Sequence, residues 1–176
     1  MNYKIIESTR KRKVKSASSK KKRASKRDIC RKWGLPDTYQ TANLRYQNPI
    51  EKGIYWYFFS LFIRKRDIER WGACISCGRA ITVETCDAGH FCPAGSSGYN
   101  LLFNEKNVNA ECSHCNAWDD MHLIGYQKGL DKRYGDGTAH ALIKQRKAYK
   151  NGAPVKDFTK AQYEQKLTNL IEELKG

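Results

Sequence analysis

The sequence predicts an α+β fold, and three observations predict it. Two Cys-x-x-Cys pairs, Cys74-Ile75-Ser76-Cys77 and Cys112-Ser113-His114-Cys115, are separated by the 34 residues 78–111; a two-residue gap lets both sulfurs of a pair turn toward one point. Between the pairs a β-branched alternating run reads as a strand, while apolar residues at helical spacing flank them. Ahead of everything lies a segment whose charge is out of proportion to its length. The expected architecture is a metal-stapled strand–loop–strand–helix core with flanking helices and a disordered basic N-terminal tail. It divides into 1–32 (tail), 33–72 (helical), 73–136 (core) and 137–176 (C-terminal helices).

The tail comes first. Residues 1–32 hold 14 Lys or Arg against Glu7 and Asp28, a net of +12 out of +15 for the 176 residues. Arg10, Lys11, Arg12 and Lys13, then Lys20, Lys21, Lys22 and Arg23, then Lys26 and Arg27 repel one another and have little apolar surface to bury. Such a segment stays disordered until it meets a polyanion. Nucleic acid is the expected partner and these ten residues the expected contacts, because each neutralised phosphate releases condensed counterion.

Asn48 before Pro49, with Glu51 close behind, marks a helix start, and Gly72 its end. Trp56, Phe59, Ile63 and Ile68 form its core stripe. Aromatic residues occupy its other faces too, which predicts packing against the core or a second copy of the chain. The most apolar stretch, 54–63, has ten residues; a membrane span needs about 20.

Ile81 to Cys86 is the expected first strand, leading into Asp87 and His90. Pro93, Gly95, Ser96, Ser97 and Gly98 make a loop, and Leu101-Leu102-Phe103 the returning strand. Asn107 follows. One helix is expected from Ser113 to Tyr134, stopped by Gly135 and carrying Cys115 and Asn116 on its first turn. Two more are expected, Ala139–Lys150 capped by Thr138, and Lys160–Lys175, where Thr159 and Gln162 supply a capping box.

Seven cysteines without a secretory apolar segment indicate a reducing compartment, where paired Cys hold metal more often than they form disulfides. Cys74, Cys77, Cys112 and Cys115 are therefore the expected ligands of a structural Zn²⁺. Cys30, Cys86 and Cys92 are left over as buried or idle thiols. In the enclosed segment, His90 has the imidazole expected of a general base near neutral pH. Asp87 and Asn116 offer the oxygen donors that suit Mg²⁺ or Mn²⁺. Asn107 is expected to tie backbone across the loop and so hold His90 at its angle.

A His ending a strand, an Asn in the following loop and a polar ligand at a helix start resemble the ββα-metal (HNH) nucleases, with His90, Asn107 and Asn116 at the signature positions. The likeness extends further. Cys74 to Gly78, Asp87 to Phe91, Leu102 to Asn109, Cys112 to Asn116, then Tyr126, Leu130 and Gly135, and Tyr163 to Leu167, resemble the NinG (Rap) recombination proteins of lambdoid phages. That resemblance implies a phage-encoded endonuclease acting on branched DNA, Holliday junctions and D-loops, with Mg²⁺ or Mn²⁺, in the cytoplasm of a bacterial host. Paired cuts across a junction are simplest with two sites about a two-fold axis, so a homodimer is expected, with the aromatic helix as its candidate interface. Two positions depart from the pattern. Gly89 stands where many HNH enzymes carry a metal-binding Asp, and Asp119 where a Lys commonly stands. Asp119, Asp120 and His122 are further candidate ligands. The alternative reading is a non-catalytic zinc-dependent DNA-binding protein in which His90 merely packs.

Overall fold

A computed structural model describes residues 25–35, 44–46, 48–96 and 98–175. The basic residues Arg10 to Arg23 lie outside them, so the expected disorder of the tail is addressed only at its end. There the chain is folded. Helix α1 (Lys26–Lys32) opens with a capping box in which the Asp28 amide donates to Ser25 Oγ (3.2 Å) and the Ser25 amide to Asp28 Oδ2 (3.1 Å). Cys30 is buried, with Ile29 and Trp33 packed around the same core, whereas Lys26 and Arg27 are exposed.

Helix α2 (Ile50–Trp71) begins one residue later than expected: Pro49, not Asn48, takes the cap position, with no side-chain cap bond. Gly72 ends it in the left-handed region (φ 60). Its aromatic faces are satisfied within the chain. Tyr55 and Phe59 meet Tyr163 and Leu167 of α7 (Lys160–Glu173) in one buried cluster, and the partly buried Phe103 packs against it, 4.8 Å from Tyr55 and 5.7 Å from Phe59 between ring centroids. The chain's own last helix thus covers the part of α2 that carries Tyr55 and Phe59.

The two-stranded sheet is displaced from its expected position. Strand β1 (Cys86–His90) pairs antiparallel with β2 (Val108–Cys112), Asp87 opposite Glu111 and His90 opposite Val108. Residues 82–85, expected as strand, turn instead: the Thr85 amide donates to the Thr82 carbonyl (3.2 Å) and the Thr82 amide to Thr85 Oγ1 (2.9 Å). Strand β2 is five residues long and leads at Cys112 into α4 (Ser113–Ala117), leaving the Thr run no strand to pair with. Leu101 and Leu102, expected as the returning strand, belong to a short helix α3 (Tyr99–Leu102) and point into the core.

The single helix expected over Ser113–Tyr134 is two. Helix α4 stops before Trp118, and α5 (His122–Tyr134) starts after a turn in which Asp119 Oδ1 accepts from the Met121 amide (2.9 Å). A short carboxylate competing for backbone donors breaks the helix there. Helix α6 (Thr138–Lys150) follows, with Gly137 rather than Thr138 at its cap. In α7 the expected Thr159–Gln162 capping box is present. Tyr126, Leu130, Ala139 and Leu142 of α5 and α6 close over Ile75, Phe91 and Leu101. Among the described residues, no helix is long and apolar enough to cross a membrane.

Helix α5 lies hard against the first cysteine pair. A Cβ on Gly125 would collide with the Ser76 carbonyl, and one on Gly129 with the Ile75 carbonyl. Only glycine, with no side chain at all, lets backbone approach backbone this closely.

Candidate functional site

The four paired cysteines converge. One sulfur from each of Cys74, Cys77, Cys112 and Cys115 lies within 4.8 Å of all the others, and Cys77 Sγ is 3.8 Å from Cys112 Sγ. Tetrahedral Zn²⁺ with bonds of roughly 2.3 Å would set its sulfurs about 3.8 Å apart. The arrangement thus fits a structural metal such as zinc. The first pair turns through Gly78 (φ 73), with the Cys74 amide donating to the Arg79 carbonyl (2.8 Å). The second spans the junction of β2 and α4, where the Cys112 amide donates to Cys74 Sγ (3.3 Å). Burial raises the thiols of Cys74 and Cys115, the neighbouring thiols adding to it at Cys115. At Cys77, burial is outweighed by the Arg79 amide and the other thiols, and the group is lowered. Cys86 packs beside this cluster and Cys92 in another core. Neither joins His90 in a metal-holding group among the described residues.

The ribbon of β1 and β2 has two chemically different faces. Alternation sends Ala88 and His90 toward α2 and sends Asp87 and Gly89 toward α4. His90 stacks on Trp56 with ring centroids 5.0 Å apart, and its Nε2 lies 3.0 Å from the Leu102 carbonyl. A carbonyl can only accept, so Nε2 carries the proton and Nδ1 the lone pair. Burial pushes the His90 pKa down to about 4, outweighing the Leu102 bond, which raises it. The imidazole is neutral at neutral pH.

Asn107 ties the loop that follows. Its Oδ1 accepts from the Cys92 amide (2.8 Å), and its Nδ2 donates to the carbonyls of Cys92 (3.0 Å) and Leu101 (2.9 Å). Both edges of one buried amide thus fix the chain on each side of residues 93–100, immediately after His90 and before Leu102. Asn109, fully buried, donates from Nδ2 to the Lys106 carbonyl (2.9 Å) and to the Tyr126 hydroxyl (3.3 Å), which in turn donates to the Gly89 carbonyl (2.8 Å).

On the other face Asp87 and Asn116 come together, Asn116 Nδ2 donating to Asp87 Oδ2 (3.3 Å). Between them and the cysteines stands Glu111, which sequence reasoning passed over. It is fully buried. Its Oε1 accepts from Ser76 Oγ and from His122 Nδ1 (2.7 Å), while Oε2 has no partner. Asp119 and Asp120, further candidate ligands, lie in the turn between α4 and α5 and do not gather with His122 into a metal-holding group among the described residues.

A buried ionic network ties this ribbon to α2. Asp67 Oδ1 pairs with Arg66 (2.6 Å), and Oδ2 accepts from the Ala110 amide (2.7 Å) and from Arg133 (3.3 Å). Burial still raises the Asp67 carboxyl despite both guanidinium groups.

Comparison with known proteins places these residues in context. A family model described as "Bacteriophage Lambda NinG protein" matches residues 2–173. The chain is similar to "Protein ninG" of Salmonella phage P22 and of Escherichia phage lambda. Each is 32% identical over 109 residues, covering 62% of this chain and 52% of the relative. "Protein ninG" of Escherichia phage 933W is 31% identical over the same length. The chain spans about half the length of the curated relatives it matches. No solved structure matches.

Proposed function

The chain belongs to the NinG family of bacteriophage proteins, and from that premise we propose that it is a metal-dependent endonuclease acting on branched DNA, of the ββα-metal (HNH) type. The observation that carries this reading is the last two positions of β1: a neutral imidazole at His90 and, one residue back on the opposite face, a notch at Gly89 edged by the oxygens of Asn116 and Glu111 and neighbouring the Asp87–Asn116 pair. A phosphodiester lying across the end of the strand would meet both.

His90 is the general base in this reading. Its neutral ring offers Nδ1 to a water proton while Leu102 holds Nε2, and Asn107 holds the loop that supplies Leu102. Asp87 and Asn116 hold Mg²⁺ or Mn²⁺ through oxygen donors. A hard divalent cation there would neutralise charge on the phosphorane and the leaving oxygen. The thiolates of Cys74, Cys77, Cys112 and Cys115 hold Zn²⁺, which keeps β2 and α4 in register beneath the site. The basic tail, Arg10 to Arg27, adds sequence-independent affinity for phosphates, and paired cuts would need two copies about a two-fold axis.

A second reading, a non-catalytic zinc-dependent DNA-binding protein, draws on the same His90: a ring stacked on Trp56 with Nε2 engaged is also what a packing residue looks like. Labelled four-way junction and matched linear duplex, incubated with purified protein and Mg²⁺, Mn²⁺ or EDTA, separate the two. The nuclease reading expects divalent-dependent cuts at the branch, lowered on the order of 10²- to 10⁴-fold in His90→Ala with junction binding retained. Binding without cleavage in either metal, or full cleavage by His90→Ala, would leave the binding module standing.

A further inference from the structure

We propose that Glu111 is a direct ligand of the hard divalent cation, supplying from β2 the carboxylate that position 89 of β1 lacks. This rests on the metal-dependent reading above and names the residue that completes its site.

The argument starts from an orphaned atom. Glu111 is fully buried, and both donors that reach it, Ser76 Oγ and His122 Nδ1, converge on Oε1. Its Oε2 has neither a hydrogen bond nor solvent. A buried carboxylate oxygen left bare costs free energy unless something positive reaches it. Two donors on the far oxygen hold the carboxylate in one orientation, as outer-shell partners hold metal ligands.

The orientation has an aim. Oε2 points into the notch at Gly89, where a Cβ would collide with it and would stand 3.0 Å from Asn116 Oδ1. Two oxygens from different elements, one on β2 and one on α4, thus flank the single point that a side chain at position 89 would occupy. Strand register sets Asp87 directly opposite Glu111, and Asp87 is already joined to Asn116. Carboxylate, carboxylate and amide oxygens are a hard donor set suited to Mg²⁺ or Mn²⁺, unlike the neighbouring thiolates. The glycine that departs from the HNH pattern is then a relocation of the ligand across the ladder, and the missing side chain is what lets the Glu111 carboxylate lie against β1 at this point.

The test is Mn²⁺ binding by the zinc-loaded full chain without DNA, followed by electron paramagnetic resonance of free Mn²⁺. Glu111→Gln removes the charge at nearly constant shape and should weaken Mn²⁺ binding by about tenfold or more, with zinc content and circular dichroism unchanged. Asn116→Asp changes an exposed residue and places a second charge beside Oε2; it should tighten Mn²⁺ binding, and this holds the proposal to account even where Glu111→Gln fails to fold. Unchanged affinity in either folded variant would overturn it. The outcomes also separate the two readings. A chain that binds Mn²⁺ through Glu111 yet cuts no junction sinks the nuclease and leaves the site. A chain that cuts junctions with Mn²⁺ affinity indifferent to Glu111 does the reverse.

Discussion

Acidification should expose how deeply His90 is held. Its folded pKa is about 4 against the ordinary 6.5, lowered chiefly by burial. At pH 7 the ring is neutral in the folded chain and mostly neutral in the unfolded one, so its burial costs little. Below 6.5 the unfolded chain takes up a proton that the folded chain refuses, so stability falls as pH drops toward 4 and then levels off. A shift of that size corresponds to roughly 3–4 kcal/mol at most, at 1.36 kcal/mol per unit. Carboxylates and thiolates titrate in the same range, so the informative quantity is a difference. Urea midpoints of wild type and His90→Gln, measured from pH 7 to pH 4, should diverge with wild type losing more. The Cε1 proton of His90, followed by NMR, should show no titration near 6.5. A ring titrating at 6.5 with parallel urea curves would refute the burial argument, and with it the neutral-ring assignment. Under the proposed nuclease reading, a loss of cleavage centred near pH 6.5 would belong to a group other than His90.

The remaining expectations are briefer. Cys112→Ser should yield insoluble or molten protein, because one lost thiolate undoes the metal site and the junction of β2 and α4 together; a soluble variant with native circular dichroism and no zinc would contradict this. Asp67→Ala leaves Arg66 and Arg133 facing a buried vacancy and should destabilise the fold by roughly 3–5 kcal/mol, read from chemical denaturation. Deleting residues 1–24 should weaken DNA binding and flatten its dependence on salt, since fewer counterions are released; an unchanged slope would assign the tail another role. Asn107→Ala unties Cys92 from Leu101 and should raise the His90 pKa toward 6.5 as the loop loosens, measurable in the same NMR titration.

Local chemistry was legible and partnership was not. The cysteine pairs could be read because a two-residue gap constrains sulfur geometry whatever surrounds it, and the Thr159–Gln162 cap because it is contained within four residues. His90 stands at the end of β1, Asn107 in the loop before β2 and Asn116 in α4. The strand itself was not legible: Cys-Asp-Ala-Gly-His has little intrinsic strand preference and is extended because Val108–Cys112 pairs with it, while the β-branched Thr82 and Thr85 bond each other in a turn. Glu111 escaped for the same reason. A charged residue amid a short strand reads as solvent-facing until the opposite strand and α5 are in place. The apolar faces of α2 announce a packing partner, but nothing in the helix itself names α7, which starts 89 positions after Trp71.

The pair of glycines on α5 has a consequence for how such chains can diverge. Cysteine spacing alone describes many unrelated zinc knuckles, but here the backbone of the first knuckle presses on Gly125 and Gly129, one helical turn apart, where even alanine is excluded. Substitution at either would push the knuckle away from α5, and Tyr126, which stands between the two glycines and holds the Gly89 carbonyl, would move with it. A Gly-Tyr-x-x-Gly run some ten residues beyond the second cysteine pair is therefore a searchable signature. It would separate chains that carry this docked arrangement from those that have kept only the four thiolates.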